Sequence, residues 1–201
     1  MKYMDVYSEL KERGIYVFSI DDLLKIFSSE RDIVKQQIFY WKRKGWVRTL
    51  KKGIYEIDYP KRKELPDLFI ANRLYEPSYV SLETALSHYS LIPEVAIGVT
   101  SVTTKPTREF RNHYGFFKYR TVVERAYCGY RLIDYRGQDV KIAEPEKAFV
   151  DYIYLNNGLN MDELRVNKRK LNELNKDRIL GYAYVLNKTV VDVVEDVYAN
   201  L

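Results

Sequence analysis

Hydrophobic periodicity changes at Gly45, and that change constrains this chain more than any other feature of its sequence. Before Gly45 apolar residues recur at helical spacing; after it they fall into runs too short for a helix. Val6 and Leu10 share one face at i, i+4 with Tyr3 and Tyr7 nearby, so a helix is predicted over 1–13, closed by Gly14. Ser19 reads as the N-cap of a second helix, with Asp21 and Asp22 in its first turn, where carboxylates meet the positive helix end. Ile20, Leu23, Leu24 and Phe27 form its apolar side. Ser28-Ser29 breaks that helix, and Ser29 is positioned to cap a third, running from Glu30 to Lys44. Trp46–Leu50 and Ile54–Ile57 then read as strands joined by Lys51-Lys52-Gly53, with Gly53 supplying the positive φ of a tight hairpin. Three helices followed by a hairpin is the order of a helix-turn-helix with a two-stranded wing.

Tyr59-Pro60-Lys61-Arg62-Lys63-Glu64-Leu65-Pro66 reads as a linker, since two prolines and a charge run separate two patterned regions. The expected fold is α+β: a winged helix-turn-helix domain over 1–63, then a mixed α+β domain over 64–201. In the second domain helices are predicted over 67–74 and 82–91, the latter capped by Ser81. Strands are expected over 97–104, 116–122, 130–135 and 138–142, with a turn at Gly137. A helix over 144–155 carries Pro145 in its first turn, where the missing N–H costs nothing. From Asp162 to Leu201 the pattern is helical, with interruptions expected near Gly181 and Asn187.

Charge is divided along the same boundary. Residues 1–63 hold 15 Lys/Arg and 9 Asp/Glu, a net of +6, whereas 64–201 hold 18 and 19, a net of −1. A surface with that excess attracts phosphate backbones whatever their base sequence. On the third helix Val34, Ile38 and Trp41 fall on the core side, and Asp32, Gln36, Tyr40 and Arg43 on the opposite side, with Lys35 at its margin. Gln pairs with adenine N6 and N7, and Arg with guanine O6 and N7, in the major groove. From Lys42 to Lys52 the chain has six cations and no acid. The candidate DNA-binding residues are therefore Lys35, Gln36, Tyr40, Arg43, Arg48, Lys51 and Lys52, the hairpin lysines reaching backbone phosphates. Phe39 falls near the polar side of the third helix, with no place in this scheme.

No catalytic constellation emerges, and neither a cofactor nor a metal is expected. The single Cys128 excludes an internal disulfide and a cysteine-based metal site. His88 and His113 lack ligand spacing, and no phosphate-binding glycine loop occurs. Asp139-Val140-Lys141, with Glu144 and Glu146 after it, has the acid–x–lysine pattern found on strands of metal-dependent nucleases, but without an evident upstream acid. No apolar run approaches membrane-spanning length and no signal-peptide core is present, so a cytoplasmic protein is expected.

Three stretches resemble the AbiEi family, the antitoxins of type IV toxin–antitoxin systems. They are Tyr79-Val80-Ser81-Leu82-Glu83-Thr84-Ala85-Leu86-Ser87-His88-Tyr89-Ser90-Leu91-Ile92-Pro93-Glu94, Thr100-Ser101-Val102-Thr103-Thr104-Lys105-Pro106-Thr107-Arg108 and Ala143-Glu144-Pro145-Glu146-Lys147-Ala148-Phe149-Val150-Asp151. The resemblance implies a repressor that binds duplex DNA at its own operator through the N-terminal domain. It also implies a C-terminal domain that counters a cognate toxin resembling a nucleotidyltransferase, directly or indirectly, without catalysis of its own. The competing readings are a ligand-responsive winged-helix regulator without a toxin, the nuclease, and an interaction scaffold.

Overall fold

The computed structural model describes residues 2–93, 97–156 and 165–201. The chain is mixed α+β and divides into two compact units, Met1–Leu65 and Pro66–Leu201.

In the first unit α1 (Tyr3–Glu12) places Tyr3, Val6 and Leu10 on its buried side and ends before Gly14, whose φ is +69°. Ser19 caps α2 (Ile20–Ile26) as its sequence implies. Its Oγ accepts from the Asp22 N–H at 3.1 Å while the Asp22 carboxylate accepts the Ser19 N–H at 2.8 Å, a reciprocal pair that satisfies two end donors. Ser29 does not cap α3 (Arg31–Arg43); the N-cap position is Glu30, which makes no side-chain cap bond. β2 (Val47–Lys51) and β3 (Ile54–Ile57) form the hairpin, with Gly53 at φ +88°. A strand absent from the sequence reading, β1 (Val17–Ser19), pairs antiparallel with β3, giving the sheet order β1-β3-β2. Three residues ending in a helix cap are too few to show a period of two, so β1 left no sequence signal. The core joins Tyr3, Val6, Leu10, Phe18, Leu23, Val34, Ile38, Trp41, Val47 and Ile57.

The stretch after β3 is not a free linker. Tyr59 stacks on Trp46 at 6.0 Å, the Tyr3 hydroxyl lies against the carbonyls of Trp46 and Tyr59, Arg62 pairs with buried Glu56 at 3.4 Å, and Lys63 sits 4.4 Å from the Tyr16 ring centre. Prolines and charges mark a loop, but aromatic packing and ion pairing bind it to the unit it follows.

The second unit is built on a six-stranded mixed sheet: β4 (Ser78–Val80), β5 (Val99–Thr103), β6 (Arg108–Asn112), β7 (Gly115–Thr121), β8 (Tyr130–Asp134) and β9 (Asp139–Ala143). Their order is β6-β7-β5-β4-β9-β8, with β5–β7 and β4–β9 parallel and the other neighbours antiparallel. Strands β4 and β6 are additions to the sequence reading. Tyr79 pairs with Val102 and Tyr119 with Ser101, so the two tyrosines point to opposite faces. On one face Tyr119 donates to the Ala71 carbonyl of α4 (Asp67–Leu74) at 2.6 Å; on the other Tyr79 reaches α6 (Pro145–Leu155).

Two corrections fall in this unit. Helix α5 (Leu82–His88) is not capped by the Ser81 side chain, because that hydroxyl is spent on Asp151. Gly181 does not interrupt a helix; it lies inside α8 (Lys176–Leu186), with open space around it. The break lies earlier, between α7 (Lys168–Asn172) and α8, where Asn175 accepts the Arg178 N–H, and Asn187 similarly caps α9 (Lys188–Ala199). The Asp162 start lies outside the described residues.

Candidate nucleic-acid interface

Burial of Val34, Ile38 and Trp41, each at most 2% exposed, fixes the rotation of α3. At 100° per residue, that leaves Gln36 and Arg43 at the centre of the opposite side, flanked by Phe39 and Tyr40. Lys35, Gln36, Tyr40 and Arg43 are all exposed there. Lys35 is paired with Asp32 at 2.9 Å, and this contact holds the Asp32 carboxyl below its usual value. Tyr40 meets Trp46 edge-on at 6.1 Å, with the Lys44 ammonium 5.5 Å from its ring centre. The Arg43 guanidinium lies 6.0 Å from the Phe39 ring centre.

The hairpin residues differ from one another. Lys52 is exposed at the turn, and Lys51 is half-buried at the end of β2, after an irregularity in register between Thr49 and Lys51. Arg48 lies on β2 itself, and its guanidinium donates to Asp58 at 2.9 Å. Arg48 is therefore committed to an ion pair beside its own sheet. Sequence reading missed this because Asp58 is ten positions away and becomes a neighbour only when β2 and β3 pair.

Exposed apolar groups on α3 are the feature absent from the charge-based reading. Phe39 is 62% exposed and Ile33 45%. Helical spacing already set Phe39 on the side of Gln36 and Arg43, away from Val34, Ile38 and Trp41, and its exposure agrees with that placement.

The second unit concentrates its polar chemistry inside. Asp151 is fully buried; one carboxylate oxygen contacts the Lys147 ammonium, while the other accepts from Tyr79 at 2.9 Å and Ser81 at 2.8 Å. Burial raises the Asp151 carboxyl despite the opposing ammonium and hydroxyls, and pushes the Tyr79 phenol well up. Nearby, Thr84 and Thr100 hydroxyls lie 3.0 Å apart. Tyr79, Ser81 and Thr84 come from the first stretch singled out in the sequence, Thr100 from the second, Lys147 and Asp151 from the third. These segments therefore meet as a structural junction.

Asp139 and Lys141 are exposed, and Asp134 stands opposite Asp139 across the hairpin. Among the described residues no three His, Cys, Asp or Glu side chains are grouped as metal ligands. The His88 imidazole is lowered by burial and by Arg131. At the start of α7, Lys168 donates to the Asn200 carbonyl and Lys170 to the Tyr89 carbonyl, while Arg169 stays exposed with Glu173 3.5 Å away. No helix among the described residues is long and apolar enough to cross a membrane. No family model matches the chain, and no curated protein matches it.

Proposed function

We propose that the chain is a duplex-DNA-binding transcriptional regulator whose first unit is a winged helix, with α3 in the major groove and the β2–β3 hairpin as the wing. The observation that carries this reading is the two-sidedness of α3. One side is locked into the core by Val34, Ile38 and Trp41. The other offers Gln36, Tyr40 and Arg43 to solvent, and continues into the acid-free basic run from Lys42 to Lys52. Gln36 and Arg43 discriminate bases, while Lys51 and Lys52 contact phosphates. Resemblance in residues 79–94, 100–108 and 143–151 extends the proposal: the regulator is a cytoplasmic AbiEi-like antitoxin that represses its own operon and counters a cognate toxin, without catalysis.

Gel-shift titration of the full chain on DNA upstream of its own coding sequence tests the first part. Binding is expected to fall log-linearly with salt as counterions are released. Lys51→Ala with Lys52→Ala weakens binding to specific and random duplexes alike. Gln36→Ala or Arg43→Ala instead lowers the preference for the specific site by about 1–3 kcal/mol. Absence of a shift at low salt rules the reading out.

A further inference from the structure

We propose that Phe39 is a specificity-determining residue that packs against the C5-methyl group of a thymine in the major groove, so that this protein distinguishes thymine from uracil. The inference rests on the DNA-binding reading and deepens it.

Three observations lead to it. Phe39 is 62% exposed on a helix whose core face is supplied by Val34, Ile38 and Trp41, so most of its ring lies outside the core. By helical geometry Phe39 stands beside Arg43 and two positions round the face from Gln36, among the groups positioned to hydrogen-bond base edges. The surroundings also select the occupant. Arg43 lies 6.0 Å from the Phe39 ring centre, and Lys42, Lys44 and Lys52 are exposed in the same basic run, which complements a polyanion.

In the major groove thymine is the base that offers an apolar group, its methyl, beside the O4 acceptor. An exposed phenyl ring among hydrogen-bonding side chains fits that methyl and no other feature of a base edge. Gln36 suits the adenine N6 and N7 of an A·T pair. Together they describe a helix that reads an A·T step, Gln36 by hydrogen bonds and Phe39 by apolar contact.

The test uses the full chain and the tightest duplex recovered from selection on a random-sequence library. That duplex is resynthesised with deoxyuridine in place of every thymidine, which keeps Watson–Crick pairing and removes only the methyls. Wild type is expected to bind the thymidine duplex tighter by about fourfold for each buried methyl. Phe39→Ala is expected to bind both duplexes equally, close to the wild-type affinity for the deoxyuridine form. Phe39→Leu retains part of the preference. Thermal melting of each variant at the wild-type temperature shows that the fold is intact. Equal wild-type affinity for the two duplexes overturns the inference and leaves DNA binding standing, as does a preference that survives Phe39→Ala. Failure to bind any duplex at low salt overturns both. If Phe39→Ala converts a self-associated protein to monomer in sedimentation without altering the thymidine preference, the ring serves a protein interface and the inference is wrong.

Discussion

Asp151 shows how one residue can organise a unit. Fully buried, it has a cation on one oxygen and two hydroxyls on the other. Removing the carboxylate strands the Lys147 ammonium in the interior, where an uncompensated charge costs several kcal/mol. Asp151→Ala is accordingly expected to destabilise the protein by about 3–5 kcal/mol, read as a lower urea midpoint. The double change Asp151→Leu, Lys147→Met should recover much of that loss, since no charge is then left unpaired. A double variant no more stable than Asp151→Ala would count against the argument. At the surface the logic reverses. Arg48 is 40% exposed beside Asp58, so the pair is screened by solvent. On the proposed DNA-binding reading, its engagement with Asp58 nonetheless makes it a poorer phosphate ligand than exposed Lys52. In gel-shift titrations Arg48→Ala is expected to weaken DNA binding less than Lys52→Ala; the opposite order would place Arg48 on the DNA.

Elements are joined by contacts of a different kind. Glu144, at the N-cap of α6, accepts from the Tyr182 hydroxyl of α8 at 2.6 Å and from the Arg178 guanidinium. The Tyr182 bond chiefly, then Arg178, holds its carboxyl below the ordinary value against the opposing effect of burial. A depressed folded value stabilises the protein above the unfolded pKa and is lost as pH falls through the folded one. Unfolding midpoints should therefore drop as pH falls below the ordinary glutamate value of about 4.3, with a shallower drop in Glu144→Gln. Equal slopes would exclude the clamp as a contributor. Gly98, at φ +92°, has the Phe116 carbonyl oxygen only 2.4 Å from where a Cβ would stand. Gly98→Ala should cost about 2–4 kcal/mol, measured by urea unfolding, whereas Gly181→Ala, with open space in mid-helix, should be neutral or stabilising. The sequence carried the first unit's helices and hairpin because caps, glycines and apolar spacing are local signals. It concealed β1 and β4, since three residues show no period of two, and β6, since Arg108-Glu109-Phe110-Arg111-Asn112 has one apolar residue and no buried face. It misplaced the Ser81 hydroxyl because the competing acceptor is 70 positions away. The outward side of α3 was legible from its inward side, but the partner of Arg48 was not.

At the scale of the whole molecule, charge and fold divide in nearly the same place. The basic excess belongs to residues 1–63, and the structural division falls between Leu65 and Pro66. If the proposed antitoxin reading holds and the units have separate tasks, residues 1–65 should bind DNA without protecting cells from a cognate toxin. Residues 66–201 should protect without repressing. Co-expression of each half with the product of the neighbouring gene, scored by growth and by a promoter reporter, decides this. Rescue by the first half alone, or by neither half while the full chain rescues, would refute separate tasks.

Lys147 also gives the second unit an internal clock. It is the buried lysine among the described residues, 1% exposed. An amine-acylating reagent can reach it only when the surrounding structure opens, so its labelling rate equals the intrinsic rate multiplied by the open fraction when closing is fast. Mass spectrometry of the peptide carrying Lys147, with exposed Lys141 as reference, would time that opening in the unmodified protein.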